Sequence, residues 1–283
     1  MKSTTRLRQM IHQDTLAIAP GVYDGLSAKL VEQAGFQCVY ASGGAIARAT
    51  GVPDIGLLSV TEIAQHMAAI CDATSLPVIA DADNGYGNAL NTYRSVQTFA
   101  RLGAAGLHLE DQQFPKRCGH LDDKKLISLE EMCGKIKAAR DACEDSDLVL
   151  IARTDAIAAE GFNAAIERAS AYAEAGADML FVEAPESESQ IQDIAQRLSQ
   201  PKLINMFAGG KTPMVPVTTL QQWGYRIVII PSDLQRASIF AIQAVLEVIK
   251  RNGDSSSFGK KMVSFKERET IIGTEHYLNK YPV

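Results

Sequence analysis

Acidic residues in this sequence fall in short clusters, each directly after an apolar run. Asp81 and Asp83 flank Ala82, and Glu110-Asp111 follow the next such run. Carboxylates this close repel one another and call for a cation. Mg2+ suits them, because it takes few carboxylates and keeps several waters. The alternative is that the two aspartates cap the Gly85-Tyr86-Gly87 turn that follows. Ser42-Gly43-Gly44 offers a hydroxyl and backbone amides, a cradle for a carboxylate. Arg153, in Arg153-Thr154-Asp155, needs an anionic partner, either Glu183 or a substrate. Lys116-Arg117-Cys118-Gly119-His120 surrounds a thiol with cations and an imidazole, which favour thiolate formation and proton exchange. Cys38, Cys71, Cys133 and Cys143 lie in strand- or helix-like stretches and read as structural. His12, His66 and His276 carry no assigned role, and His108, inside an apolar run, reads as a packed core histidine.

Positioning these groups requires a regular scaffold. Eight short apolar runs alternate with segments of helical periodicity: Leu16–Ala19, Cys38–Tyr40, Pro77–Ala80, Gly106–Leu109, Leu148–Ala152, Met179–Val182, Lys202–Ile204 and Arg226–Ile230. The runs are continuously apolar, as expected of parallel strands covered on both faces. Eight such units predict an α/β fold, a (β/α)8 TIM-type barrel, with a doubly wound open sheet as the alternative that periodicity leaves open. In a barrel the polar clusters at the strand ends, including Asn205 after the seventh run, converge on one face, where active sites are built. Ser59–Glu62 and Ser128–Glu131 have capping-box spacing. Ala34-Gly35 and Ala175-Gly176 stand where helices should stop. About 17 residues, Asp111 to Ile127, separate the fourth strand from its helix, long enough for a mobile lid. Residues 1–251 are expected to form the barrel. Residues 252–283 are expected to form a linker, starting at Asn252–Ser257, and an amphipathic segment, Met262 to Leu278, that packs on a neighbouring subunit.

With 46% hydrophobic residues and a net charge of -5, the chain can bury one large core and has no basic surface for nucleic acid or anionic membrane. No apolar run is long enough to span a bilayer. Five cysteines without paired spacing fit a reducing compartment, and Met1–Arg6 leads into a helix-like stretch without an apolar signal core; a cytoplasmic location is expected.

Several of these runs resemble the isocitrate lyase/phosphoenolpyruvate mutase superfamily. They are Gly51–Gly56, Asp81–Asn88, Glu110-Asp111-Gln112 with Pro115–His120, Ile151–Ala156 and Asn205-Met206, and the likeness extends from about Arg6 to the C-terminal helix. The chain is most similar to the 2-methylisocitrate lyase and carboxyphosphoenolpyruvate phosphonomutase branch. The resemblance implies a barrel whose eighth helix is exchanged between subunits of a dimer or tetramer. It implies Mg2+, with Mn2+ able to substitute, held mainly by Asp81, with Asp83, Glu110 and Asp54 acting directly or through water. A substrate carboxylate would lie on Ser42, Gly43 and Gly44, aided by Arg153 and Asn205. The lid would supply Cys118, Gly119 and His120, and Arg236 matches a position that holds a substrate carboxylate in lyase members. Cys118 matches the cysteine that protonates the carbanion left by C–C cleavage, with Arg153, Glu183 and His120 as further catalytic groups.

Two stretches depart from the family pattern. After Asn205-Met206, relatives usually carry an acidic residue before the glycine, whereas this chain reads Phe207-Ala208-Gly209; and the eighth strand continues into the unusual Pro231-Ser232-Asp233-Leu234-Gln235-Arg236. The leading reading is a Mg2+-dependent lyase for a 2-hydroxy di- or tricarboxylate such as 2-methylisocitrate or 2,3-dimethylmalate. The alternatives are phosphonomutase-like P–C chemistry, oxaloacetate decarboxylation or hydrolysis, and a non-catalytic protein that binds a carboxylate metabolite.

Overall fold

A computed structural model describes residues 1–119 and 123–280. Its eight strands are β1 Ala17–Val22, β2 Val39–Ala41, β3 Val78–Asp81, β4 Gly106–Glu110, β5 Val149–Thr154, β6 Met179–Val182, β7 Lys202–Asn205 and β8 Tyr225–Ile230. All neighbours pair in parallel and in sequence order, and β8 closes on β1 with Ala17 opposite Ile227. Closure selects the barrel over the open sheet. The first strand runs to Val22, further than its apolar run indicated, because Pro20 and Gly21 continue the extended backbone. Gly21 has no room for a side chain: a Cβ there would lie 2.3 Å from the Pro231 carbonyl oxygen.

Helix α1, Ser3–His12, precedes the barrel, and α2 Gly25–Gln33 follows β1. Next come α3 Gly43–Ala49 and α4 Val60–Ala73 after β2, α5 Ala89–Arg101 after β3, and α6 Leu129–Asp141 after β4. Helices α7 Ala156–Glu160 and α8 Phe162–Glu174 follow β5, with α9 Glu188–Arg197 after β6 and α10 Val217–Gln222 after β7. The chain ends with α11 Asp233–Asn252, a 3-10 turn at Ser256–Lys261, α12 Phe265–Ile272 and α13 Thr274–Lys280. The predicted single amphipathic segment is therefore two short helices, broken at Gly273 in the left-handed conformation.

Two apolar layers hold the barrel. One lies between strands and outer helices, including Ile63, Met67, Phe99, Ile136 and Tyr172. The other fills the barrel interior with Tyr40, Ile79, Ile151, Phe181 and Ile229, and α1 closes its lower end with Leu7 and Ile11. Arg8 fastens that plug to Asp178 at 3.1 Å and to the Leu148 carbonyl. Ser59 and Glu62 form the expected reciprocal capping box of α4, whereas at α6 only half of the expected box forms, with Ser128 accepting from the Glu131 amide. Gly35 and Gly176 end α2 and α8 with positive φ.

Helix α11 is different. Only Gln235 among its residues is buried, while Ile239, Phe240, Ile242 and Leu246 stand exposed. No helix among the described residues is long and apolar enough to cross a membrane.

Candidate active site

The strand ends predicted to converge do so. A cavity of about 290 Å³ at the C-terminal mouth of the barrel is lined by Ser42, Gly44, Asp54, Asp81, Cys118, Gly119, Arg153, Glu183, Asn205 and Arg236, among others. Asp81 sits at the end of β3 and is buried. Its Oδ2 accepts from Tyr40 Oη at 3.0 Å and from the Gly43 amide at 3.1 Å, and its Oδ1 from the Asp83 amide at 3.1 Å. His108 Nε2 lies 3.3 Å from the same Oδ1 and 2.8 Å from Tyr40 Oη. Burial opposes the charge on Asp81, but His108, Lys116, Arg153 and the Asp83 amide outweigh it and hold its pKa at about 2. His108 is indeed packed in the core, and burial lowers its pKa to about 4, with Asp81 opposing.

Lys116 enters from the lid and places its ammonium 2.5 Å from Asp54 and 2.8 Å from Asp83. Burial raises Asp83 to about 6, with Lys116 opposing and Asp81 and Asp54 adding to the rise. The alternative reading, that the two aspartates cap the following turn, does not hold for the Tyr86 amide, which donates to Asn84 Oδ1. Glu110 is 1% exposed, and neither of its carboxylate oxygens has a hydrogen-bond partner among the described residues. Burial pushes its pKa well up, against the pull of Arg153 and Lys116.

Arg153 does not take Glu183 as its main partner. Its Nε and Nη2 reach Asp155 Oδ2 and Oδ1 at 2.9 and 3.0 Å, whereas Glu110 and Glu183 lie 3.4 and 3.9 Å from the guanidinium. Asp155, just past β5, turns back to match the flat guanidinium fork with both oxygens. Glu183 accepts instead from Asn205 Nδ2 at 3.2 Å.

The lid lies over this floor. Its two arms pair antiparallel at Gln112 and Leu126, with Gln113 N donating to the Lys125 carbonyl at 2.8 Å. The Cys118 amide donates to the Asp54 carbonyl at 3.2 Å. A Cβ on Gly119 would fall 2.3 Å from both Arg153 Nη2 and Glu183 Oε1, so only glycine lets the lid seat there. Lys124 Nζ donates to the Gly119 carbonyl at 2.5 Å and to Asp155 Oδ1 at 2.9 Å. His120 lies outside the described residues. None of the five cysteines is bridged.

The Ser42-Gly43-Gly44 cradle is narrower than expected. The Gly43 amide is taken by Asp81, and Ser42 Oγ accepts from the Ala45 amide at 3.2 Å. Arg236 lies at the mouth, where Nη1 donates to the Ala208 carbonyl at 2.6 Å and pairs with Asp233 at 3.1 Å. Sequence reasoning assigned no site role to Tyr40, Arg48, Lys124 or Asp155, and treated Lys116 only as a neighbour of the thiol. Strand-end position could have flagged Asp155; nothing local marks Arg48 or Lys124.

Six carboxylates, Asp54, Asp81, Asp83, Glu110, Asp155 and Glu183, thus face three buried cations, Lys116, Lys124 and Arg153. No three His, Cys, Asp or Glu side chains among the described residues converge tightly enough to hold a metal by themselves. Mg2+ does not need them to, because it keeps several waters. The acidic excess and the unbonded oxygens of Glu110 fit such a hydrated divalent ion.

The phosphoenolpyruvate phosphomutase family model matches residues 7–250. The chain belongs to this family, within the PEP mutase/isocitrate lyase superfamily. It is 42% identical to a 2-methylisocitrate lyase of Aeropyrum pernix, over 96% of this chain and 87% of the relative. It is 39% identical to a 2,3-dimethylmalate lyase of Eubacterium barkeri, over 97% and 96%. A crystal structure of 2,3-dimethylmalate lyase superposes with a TM-score of 0.93 at 33% identity, covering 99% of this chain and 94% of that one. Phosphonopyruvate hydrolase in complex with oxalate and Mg2+ superposes at 0.90 and 32% identity, covering 98% and 97%.

Proposed function

We propose that this chain is a Mg2+-dependent carbon–carbon lyase that cleaves a 2-hydroxy di- or tricarboxylate to a 2-oxo acid and a second carboxylic acid. The observation that carries the reading is the placement of Cys118 on the lid, lining the same cavity as Asp81, Ser42 and Arg153. Similarity to two lyases over nearly the whole chain supports it.

Asp81 is the residue that would hold Mg2+, with Asp83, Glu110 and Asp54 reaching it directly or through water. Bound there, the ion would polarise the substrate's hydroxyl and adjoining carboxylate and stabilise negative charge as it develops. Ser42 and Gly44 cradle that carboxylate with Asn205, and the Arg153 guanidinium on the same cavity wall offers it a positive charge. As the C–C bond breaks, the hydroxyl proton leaves to the carboxylate cluster and the bonding pair stays on the departing fragment. The Cys118 thiol then gives that carbon its proton. A lid seated through Gly119 keeps water from supplying it first.

Oxaloacetate hydrolysis or decarboxylation and phosphonate chemistry use the same polarised oxyacid, so substrate panels separate them. With Mg2+ and 2-methylisocitrate, isocitrate, 2,3-dimethylmalate, oxaloacetate or carboxyphosphoenolpyruvate, NMR should reveal a 2-oxo acid, pyruvate or glyoxylate, appearing with an equimolar second acid from a hydroxy acid. EDTA should stop the reaction. Turnover of only oxaloacetate or the phosphonate precursor would replace the lyase reading; Mg2+-independent binding without turnover would favour a carboxylate-binding protein.

The exposed apolar face of α11 supports an assembly in which this helix packs on a second subunit, as a homodimer or homotetramer.

A further inference from the structure

The lid leaves the barrel at Asp111 and returns at Ile127, and one buried carboxylate joins those two points to the site. Asp111 is 0% exposed. Its Oδ2 accepts from Thr154 Oγ1 at 2.7 Å and from Tyr172 Oη at 2.8 Å, and its Oδ1 accepts from the Asp155 amide at 2.9 Å. Its own carbonyl accepts from the Ile127 amide at 2.9 Å, which closes the base of the lid. Arg168 of α8 completes the joint. Its Nη1 donates to the Ile127 carbonyl and to Tyr172 Oη, both at 3.1 Å, and lies 3.6 Å from Asp111 Oδ2. Glu160 of α7 holds Nε and Nη2 of the same guanidinium at 2.7 Å. A carboxylate enclosed this fully is costly unless donors surround it, and here they come from β5, from the residue after it and from α8. What Asp111 grips is the residue that faces two ways: Asp155 binds Arg153 with both oxygens and the lid's Lys124 with one.

We propose that Asp111 is a positioning residue that aims Asp155, so that the direction of the Arg153 guanidinium and the seating of the lid through Lys124 both depend on one buried carboxylate. The inference rests on the lyase reading above, in which Arg153 offers its charge to the substrate, and deepens it. Holding the Asp155 amide from behind fixes the backbone from which that side chain turns back to Arg153. Because the same carboxylate is bonded to Thr154 and Tyr172, the groups around it form one network, and the loss of a member is felt by the rest.

The test compares wild type, Asp111→Asn, Lys124→Met and the double variant, using 2-methylisocitrate and 2,3-dimethylmalate with Mg2+. Asparagine keeps the size, and either placement of its amide sets the NH2 against a group that now donates. In Asp111→Asn KM should rise about tenfold or more, and limited proteolysis between Asp111 and Ile127 should quicken. A merely structural role would lower kcat with the folded fraction and leave KM where it was. In the double variant Lys124→Met should cost less than about a further threefold in kcat/KM, because its partner is already displaced. Tyr172→Phe keeps the ring in the core and removes one donor; it should raise KM and the proteolysis rate about threefold, and it decides the matter if Asp111→Asn does not fold. An unchanged KM, an unchanged proteolysis rate or full multiplication of the two losses each overturns the proposal. Proteolysis needs no substrate, so a protein that turns over neither acid but whose lid is cut faster in Asp111→Asn would sink the lyase reading and spare the role of Asp111.

Discussion

Glu110 is enclosed at the end of β4, and neither of its oxygens is hydrogen-bonded among the described residues. Its pKa in the fold is raised, first by burial. A carboxyl raised above its unfolded value stabilises the fold at low pH, and that stabilisation is lost as pH rises through the folded pKa. Glu110→Gln removes the charge and nearly keeps the shape. Without added metal its Tm should exceed that of wild type at pH 8, and the difference should shrink toward pH 5; Mg2+-dependent activity should be lost. Thermal melts across that range check it, and a variant less stable than wild type at pH 8 would contradict the electrostatic account. Much of this residue-scale picture could be read beforehand, because Asp81, Asp83, Glu110, Arg153 and Glu183 each close an apolar run, where a buried charge is costly without a purpose. Asp155 stands at the same strand end but carried no assigned role, because spacing does not show that its side chain folds back onto Arg153.

The lid shows where element-scale reasoning stops. Its length was legible as an outlier among barrel loops. Its paired arms and its latch were not, since they depend on residues brought together from different elements. Lys124 joins the lid carbonyl of Gly119 to Asp155 on the barrel. Lys124→Met should therefore unseat the lid: limited proteolysis between Asp111 and Ile127 should quicken, and kcat/KM should fall about tenfold or more, as removal of a buried charged partner implies. Equal proteolysis rates for variant and wild type would show that the latch lies elsewhere. The strands and helix stops, by contrast, were readable almost throughout, because covered parallel strands and capping residues are fixed by local chemistry.

At the scale of the molecule, burial falls away from α11 onward. Phe240 is 74% exposed, and none of the residues of α12 or α13 is buried. The exposed apolar face of α11 supports the proposed packing of this helix on a second copy. Phe240→Asp should shift the protein to a smaller species in sedimentation velocity at micromolar concentration, while an unchanged sedimentation coefficient would move the interface to another face. The sequence could indicate that the C-terminal segment was amphipathic, but not what it covers, because one chain's periodicity carries no information about its partner.

Whether the Cys118 thiol protonates the fragment released by C–C cleavage can be read by running the Mg2+-dependent reaction in D2O with wild type and Cys118→Ser. Wild type should deliver one deuteron, stereospecifically, to the carbon that was cleaved. Cys118→Ser should lose cleavage by about a hundred- to ten-thousandfold and still bind the products within a few-fold. Cleavage by Cys118→Ser at the wild-type rate, with the same stereospecific label, would contradict that role.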